Sequence, residues 1–381
     1  MKVALVASSF VPDPGRLERR VYRLAHGLAQ RGVEVEVLTH GMARSTIHSG
    51  EGLTVRRFPN AAGPLRLAIA PKLWEHLRRA AGRYDVVDVH CRRAPLALAV
   101  RTAGVRGLVF TPGSPMETFL RFPYARATGG LVASASGIIC YSERERHLLC
   151  GAFPAVSGRT HVVPDGVDAE ALSAAEPFES PEVVVLAADR LRRGTGVERA
   201  IAAMASLGSG FRLVVLGAGP ARARLSAYAA DLRVSSRVQF PGAVPDPVLH
   251  RWLRTAGVVV SLPGEHGSGS LVAEARAAGA SVVASDLPVH RDVAERPGSG
   301  HVVLVSPQGS PLDVADAIDE AAQLSILPSA HTLTPAESSW EAAVDSTLML
   351  YRELTEDAIR SPRGRGAGQA VRPSARTRRA G

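Results

Sequence analysis

Short aliphatic runs alternate with helical patterns along the first half of the chain. Between the first two runs, Val21, Leu24 and Leu28 recur at the spacing of one helix face, and Gly32 supplies a stop signal. Strands that alternate with helices in this way form parallel sheets that are covered on both faces. The strands predicted in this half are Val3–Ser8, Val33–Leu38, Leu53–Phe58, Val86–His90, Gly107–Thr111 and Gly137–Tyr141.

The alternation restarts after about residue 165, which predicts a second α/β domain. Its predicted strands are Glu182–Ala188, Arg212–Leu216, Arg237–Phe240, Val258–Leu262, Ser281–Ser285 and His301–Val305, and its predicted helices are Thr195–Ser206, Ala221–Arg233, Pro247–Thr255 and Ser270–Ala278. The fold class is therefore α/β, with two doubly wound Rossmann-like domains over residues 1–168 and 182–330 and a linker over 169–181. Ligands of such sheets bind beyond the carboxyl ends of the strands, so we expect the site in a cleft where the two domains face each other.

Two further helices are predicted outside this alternation. Residues 334–359 form the first, because Thr334 can cap it, Pro335 suits the first helical position and Glu337 completes a capping box. Pro71–Arg79 is amphipathic, which is typical of a helix that covers a sheet. A helix that lies on a membrane is the second interpretation of that pattern.

Positive charge is concentrated at the end of the chain. The formal net charge is +9, and the segment 360–381 contains seven Arg and no acid, so the rest of the chain has a charge of only +2. The Pro, Gly and Arg content of this segment predicts a disordered tail, with a tether to an acidic membrane as the second interpretation. Because the body of the protein is not strongly basic, we expect no nucleic-acid partner.

The cysteine content indicates a reducing compartment. Cys91, Cys140 and Cys150 are odd in number, match no metal-site spacing and follow no signal-peptide core, since the N-terminus is predicted to be a first strand. We therefore expect a cytoplasmic protein, with a peripheral position on the inner face of the membrane as the alternative. The second domain contains no Asp-x-Asp pair or His cluster with ligand spacing, so we expect no metal.

The second half carries several loops with the chemistry to bind a diphosphate. Arg190 follows a strand and offers a planar cationic fork, and Thr195 lies between two glycines that open a helix. Gly217 begins a Gly-x-Gly turn after the next strand, a pattern that is also typical of an ordinary tight turn. A Gly/Ser-rich loop from Gly264 to Ser270 precedes another helix, and Glu274, one turn into that helix, could accept hydrogen bonds from ribose hydroxyls or lie on the surface as an ordinary carboxylate.

The ordered series of motifs resembles the retaining glycosyltransferases of family four, of the group 1 type, which have the GT-B fold. The resemblance covers nearly the whole chain except the tail. In the first half it rests on Phe10–Val21, Asp85–His90, Tyr141–Glu143 and Val162–Asp168, and at the end of the chain it rests on Ser339–Glu341 with Leu350 and Tyr351. No single motif is decisive, but their order and spacing together are specific.

This resemblance implies a hexosyltransferase-type enzyme that retains the anomeric configuration and needs no metal. Its donor would be a UDP-, GDP-, ADP- or TDP-sugar held by the second domain, its acceptor would be a glycan, a lipid-linked sugar or a small molecule, and its last helix would cross back to the first domain. The candidate residues are Arg190, Thr195, Gly217, Gly269, Ser270, Leu271 and Glu274 for the donor, Gly15 and Arg16 for the diphosphate loop, His90, Thr111, Gly113 and Ser114 for the acceptor, and Arg190, Glu265 and His266 for catalysis.

Three positions depart from the family pattern. Thr195 stands where relatives usually have a Lys, His266 stands where they have a Glu, with Glu265 one residue earlier, and the stretch after Thr111 contains no His. His90 is either an acceptor contact or a satisfied strand-end histidine. These departures leave a second hypothesis open, a catalytically degenerate protein of the same fold that binds a sugar nucleotide without turnover.

Overall fold

The computed structural model divides into two compact units, the first made of Met1–Gly166 with the chain from Trp340 onward and the second of Val167–Ser339. The residues that the structure describes are 1–12, 15–41, 45–50, 52–59, 71–91, 96, 100–105, 107–113, 124–265, 269–296, 300–325 and 339–360. Residues 361–381 of the predicted disordered tail, the cap at Thr334 and the start of the last helix at Pro335 lie outside them.

The first unit is built on an eight-stranded sheet in the order β3-β4-β2-β1-β5-β6-β7-β8. Seven strands are parallel, and β3 pairs antiparallel with β4 at one edge. The strands are β1 (Lys2–Ala7), β2 (Glu34–Gly41), β3 (Ser45–Ser49), β4 (Leu53–Pro59), β5 (Val86–Cys91), β6 (Leu108–Pro112), β7 (Gly137–Cys140) and β8 (Thr160–Val162). In the centre, Leu5 pairs with Val37 on one side and with Asp88 on the other.

Helices cover both faces of this sheet, because the central strands β1, β5, β6 and β7 present buried side chains to both sides. The helices are α1 (Arg16–Gln30), α2 (Pro71–Ala80), α3 (Tyr124–Ser134), α4 (Glu143–Ala152) and, at the end of the chain, α12 (Trp340–Arg360). One core packs residues of α2, α3 and α4 against the sheet, and a second core packs residues of α1 and α12 against the opposite face. The last helix is therefore part of the first unit.

The second unit has a six-stranded, fully parallel sheet in the order β11-β10-β9-β12-β13-β14. Its strands are β9 (Val183–Ala188), β10 (Phe211–Leu216), β11 (Val238–Gly242), β12 (Val258–Ser261), β13 (Ser281–Ser285) and β14 (Val302–Val305). Its helices are α5 (Ala169–Ala174), α6 (Val197–Ala203), α7 (Arg222–Asp231), α8 (Asp246–Thr255), α9 (Gly269–Ala277), α10 (Pro288–Ala294) and α11 (Pro311–Ser325). Residues of α6, α7 and α11 pack on one face, and residues of α8, α9 and α10 pack on the other.

All the strands predicted from the aliphatic runs are present, with ends that differ by no more than three residues. The sequence analysis missed the short strands β3 and β8 and the helices α10 and α11. It also assigned residues 169–181 to a linker, whereas the structure forms α5 there, because the carboxylate of Asp168 accepts a hydrogen bond from the backbone N–H of Ala171 at 3.1 Å and caps the helix. None of the described helices has both the length and the hydropathy that crossing a bilayer requires.

Candidate active site

Three loops meet at the carboxyl edge of the second sheet, after the neighbouring strands β10, β9 and β12. Gly217 has a φ of +122°, and a Cβ placed there would overlap the carbonyl oxygen of Asp189, so only glycine lets the loop after β10 approach the loop after β9. Backbone hydrogen bonds of 3.0 Å from Leu191 to Ala218 and from Ala221 to Leu191 join the two loops. Gly217 therefore shapes this edge through its backbone.

Gly196 permits a close approach on the other side of the loop after β9, where this loop meets the chain after β12. Its φ is +81°, and a Cβ there would overlap the backbone carbonyl of Leu262, which follows β12. Together with Asp189, Thr195, Ser261 and Leu271, Gly196 lines a small recess between the ends of β9 and β12. The glycines that the sequence places after these strands thus hold three loops in direct contact.

Substitution of Gly196 tests this contact, and Gly194 supplies a matched control. Both glycines have a φ close to +82°, but a Cβ at Gly194 would have no atom within 4 Å. We expect Gly194→Ala to lower the free energy of unfolding by about 1–2 kcal/mol through backbone strain alone. Gly196→Ala should cost about 1–3 kcal/mol more because of the overlap with Leu262. Urea unfolding of both variants measures the difference, and equal losses would contradict the contact.

Arg190 and Thr195 lie on this loop in different environments. Arg190 is exposed just past the end of β9, and its backbone N–H donates to the carboxylate of Asp189 at 2.6 Å. Thr195 is buried, and its hydroxyl donates to the backbone carbonyl of Arg192 at 3.2 Å. The Thr195 hydroxyl is therefore used in a hydrogen bond within its own turn, whereas Arg190 is exposed to solvent.

The helix α9 begins at the same edge of the sheet. Gly269 is buried at its start, where a Cβ would press against the side chains of Val289 and Val293, so glycine permits α9 to pack closely on α10. Ser270, Leu271 and Glu274 are all half-buried in the first turns. Glu265 is exposed two residues after the Leu262–Pro263 stretch, and the predicted catalytic His266 lies outside the described residues.

A buried histidine, which the sequence analysis did not single out, joins the ends of β12 and β13. His290 is wholly buried in the first turn of α10, its Nδ1 lies 2.7 Å from the carbonyl oxygen of Ser285, and its Nε2 lies 3.4 Å from the hydroxyl of Ser261. Because a carbonyl only accepts, Nδ1 bears a proton and donates to Ser285. A lone His within a helix gives no sequence signal for such a network.

In the first unit, the predicted diphosphate loop leads into α1. Gly15 is exposed immediately before the helix, and its carbonyl accepts the backbone N–H of Arg19 at 3.0 Å. The side chain of Arg16 lies outside the described residues. One turn further on, the buried guanidinium of Arg20 pairs with Asp165 and lies 4.4 Å from the ring centroid of Tyr141. Asp165, which belongs to the stretch Val162–Asp168, thus anchors α1.

Two predicted acceptor residues, His90 and Thr111, surround a carboxylate in the core of this unit. Asp88, His90 and Thr111 are all wholly buried, as is Tyr351 of α12. Asp88 accepts hydrogen bonds from the hydroxyls of Thr111 at 2.8 Å and Tyr351 at 2.6 Å, and Nε2 of His90 lies 3.2 Å from its Oδ2. The structure therefore places His90 and Thr111 beside the Asp88 carboxylate in the core of the first unit.

This cluster keeps Asp88 ionised. Burial alone would raise the pKa of Asp88, but the nearby His90 and the hydrogen bonds from Tyr351 and Thr111 together lower it below the usual value. Burial and the adjacent carboxylate raise the pKa of Tyr351 well above its usual value, so Tyr351 stays a donor. The Asp88 carboxylate on β5 therefore links Thr111 of β6 and Tyr351 of α12 by hydrogen bonds.

The other two predicted acceptor positions follow β6. Gly113 donates its backbone N–H to the carbonyl of Cys91 at 2.8 Å, and a Cβ there would lie 3.0 Å from the same backbone. Gly113 thus permits the close approach of the chain after β6 to the end of β5. Ser114 lies outside the described residues. Among the residues that the structure does describe, no three His, Cys, Asp or Glu side chains are grouped as metal ligands would be.

Two Rossmann-like units, each with its polar loops at the carboxyl edge of a parallel sheet, define a two-domain α/β protein of the GT-B class. Residues 17–171 match the model of Glycosyltransferase Family 4, and residues 168–335 match that of Glycosyl transferases group 1. The chain therefore belongs to the glycosyltransferases that combine these two domains, as the sequence motifs predict.

Curated relatives and solved structures agree with this assignment. The chain is 28% identical to D-inositol 3-phosphate glycosyltransferase 1 of Catenulispora acidiphila over 93% of each chain, and 26% identical to the D-inositol 3-phosphate glycosyltransferase of Xylanimonas cellulosilytica over 90% and 93% of the two chains. Sucrose-phosphate synthase of Thermosynechococcus elongatus superposes with a TM-score of 0.76 at 21% identity, covering 93% of this chain and 99% of that one. Anabaena Alr3699/HepE in complex with UDP superposes with a TM-score of 0.68 at 18% identity, covering 95% and 100%.

Proposed function

We propose that this protein is a retaining, metal-independent glycosyltransferase that moves a sugar from a nucleoside diphosphate sugar to a glycan, a lipid-linked sugar or a small-molecule acceptor. The main support for this proposal is the contact among the loops after β10, β9 and β12 at the carboxyl edge of the second sheet. They place the exposed Arg190 after β9, on the same sheet edge where α9 begins. A cation and a helix N-terminus together form an anion site.

The chemistry of this edge suits a departing diphosphate. As the bond to the sugar breaks, negative charge grows on the diphosphate oxygens, and fixed donors that face this charge lower the barrier. Arg190 supplies a permanent positive charge, and the N–H groups of the first turn of α9 supply partial positive charge. With these groups in place, the reaction needs no metal ion. Retention of the anomeric configuration is proposed from the family resemblance.

Structural relatives favour UDP as the first nucleotide to test. Anabaena HepE was solved with UDP and with UDP-glucose, and a starch synthase of Arabidopsis thaliana was solved with ADP and acarbose. For the acceptor, the curated relatives are named for D-inositol 3-phosphate, a phosphorylated cyclic polyol. We therefore propose a polyhydroxylated acceptor, and we place its binding near Gly113, after β6, rather than at the buried His90.

Thermal unfolding of the protein with UDP-, GDP-, ADP- and TDP-sugars tests the donor site. A ligand at about 100 times its Kd adds about 2.7 kcal/mol to the stability of the folded state, which raises the midpoint by several degrees. We expect one nucleotide class to produce this shift. Glu274→Ala should abolish it, because we propose that the Glu274 carboxylate accepts hydrogen bonds from the ribose hydroxyls.

Glu320→Ala is the matched control, since Glu320 is an exposed carboxylate on α11 of the same unit. The control should keep the full shift. A protein that responds to none of the four donor classes contradicts the proposed function, and an equal loss in both variants contradicts the role of Glu274 alone.

Burial of Thr195 favours one alternative, a degenerate protein that binds the donor without turnover. Relatives usually have a Lys at this position, whereas the Thr195 hydroxyl is bonded to Arg192 and brings no charge to the diphosphate. Product formation by the natural protein, measured with the donor found in the thermal assay, separates the two functions. If only the Thr195→Lys variant forms product, the degenerate function holds.

A further inference from the structure

A stripe of basic residues runs along α2, beside the apolar stripe that anchors this helix. Leu73, Leu77 and Ala80 are buried against the sheet at the spacing of one helix face. Lys72, His76, Arg79 and Arg83 recur at intervals of four, three and four residues, the last of them in the single 3-10 turn that follows α2. This spacing brings the four side chains to one face of the helix.

The basic stripe lines a cavity of about 320 Å³. The lining residues are Phe58, Lys72, Glu75, His76, Arg79, Ala80 and Arg83. Among the described residues that line it, Glu75 is the one acid, and it pairs with Arg79 at 2.6 Å. The cavity is thus lined by three permanent positive charges, on Lys72, Arg79 and Arg83, and by one carboxylate, so its net charge is positive. Its volume is large enough for a small molecule.

The floor of the cavity is held in place by hydrogen bonds to the sheet. His76 lies against Phe58 of β4, with ring centroids 5.3 Å apart, and its Nε2 lies 3.2 Å from the hydroxyl of Tyr84. Tyr84 in turn donates to Glu36, which also pairs with Arg56. Since the Tyr84 proton goes to Glu36, Nε2 of His76 donates to the Tyr84 oxygen, and the imidazole is fixed between the two rings.

We propose that this α2 cavity binds the phosphate group of a phosphate monoester. Arg and Lys side chains form charge-assisted hydrogen bonds with phosphate oxygens, and the Phe58 and His76 rings offer a surface for the carbon skeleton of the ligand. Within the first unit, the cavity is separate from the acceptor position proposed after β6, because Phe58 lies on β4, four strands away from β6 in the sheet order. It is thus a second site on the first unit.

Isothermal titration of the full-length protein with glycerol 3-phosphate tests the proposal. The pocket variant is Lys72→Gln/Arg83→Gln, and the matched control is Arg78→Gln/Arg352→Gln, which removes two exposed positive charges that do not line the cavity. We expect the pocket variant to bind about tenfold more weakly or worse, since each lost contact is a hydrogen bond to a charged group. The control variant and Arg190→Ala should bind as the natural protein does.

Vesicles of phosphatidylcholine with and without phosphatidic acid identify the source of the phosphate group. If the protein binds glycerol 3-phosphate and the pocket variant does so more weakly, the ligand is a soluble phosphate ester. If the protein binds only the vesicles that contain phosphatidic acid, and the pocket variant does so more weakly, the ligand is a lipid headgroup. The proposal is wrong if the natural protein binds neither probe, or if the pocket and control variants lose equal affinity. The donor shift in the thermal assay should be unchanged in the pocket variant, which separates this test from that of the proposed function.

Discussion

Replacement of Arg190 by alanine will lower kcat/KM for sugar transfer by about 100- to 1000-fold, the usual cost of losing one fixed donor that faces developing charge. Arg190 is exposed at the end of β9, on the sheet edge where α9 begins. If its guanidinium acts on the departing diphosphate, most of the loss will be in kcat, whereas a loss in KM alone would indicate equal binding of substrate and transition state. Steady-state kinetics over a range of donor concentrations separates the two.

Arg224→Ala is the control for this substitution. Arg224 is a half-exposed arginine on α7 that pairs with Glu198, and surface pairs of this kind contribute only about 0–1 kcal/mol to stability. Its kcat/KM should be close to that of the natural protein. Equal rates for the Arg190→Ala and Arg224→Ala proteins would exclude Arg190 from the reaction. If the natural protein forms no product, the affinity of the Arg190→Ala and Arg224→Ala proteins for the nucleoside diphosphate is compared instead.

The second large effect concerns stability and comes from Asp88. Asp88→Asn should lower the free energy of unfolding by about 3–5 kcal/mol at neutral pH, the usual cost of breaking a buried charged cluster by removing one partner. The amide would meet the hydroxyls of Tyr351 and Thr111, which both donate to the carboxylate. Tyr351→Phe removes one hydrogen bond to a charged group and should cost about 1.5–3 kcal/mol. Urea unfolding at fixed pH measures both.

Asp345→Asn on α12, the helix that contains Tyr351, is the matched control for Asp88→Asn. The carboxylate of Asp345 is largely exposed and pairs with Arg31 at 2.5 Å, so its loss should cost about 0–1 kcal/mol. Equal losses for Asp88→Asn and Asp345→Asn would contradict the buried cluster.

The pH dependence follows from the lowered pKa of Asp88. Because this pKa is lower in the folded chain than in the unfolded chain, ionised Asp88 stabilises the fold above the unfolded value, about 3.9, and the contribution is lost as the pH falls through the folded value. The difference in unfolding free energy between the natural protein and Asp88→Asn should therefore shrink as the pH falls below the unfolded value and through the folded value. A difference that grows in acid would have the wrong sign.

Local sequence patterns were sufficient for the strands and for the loops of the second unit. A parallel strand buried on both faces needs a run of aliphatic residues whatever its neighbours are, so each run could be recognised alone. Glycines after these strands marked the turns, and the structure gives the physical reason, since Gly196 and Gly217 both have positive φ and no room for a Cβ. The short strand β8 and the edge strand β3 were missed, because three to five residues carry too little periodicity.

By itself, the sequence determined the fold class, the family and the positions of most strands, because these depend on residue types within short stretches of chain. Only the tertiary structure decided the surroundings of individual side chains, because these depend on residues distant in sequence. Tyr351 reaches Asp88 across 263 positions, and this contact completes a buried cluster that also contains His90 and Thr111. The burial of Thr195 likewise results from the folding of its loop, and the local sequence pattern did not predict it.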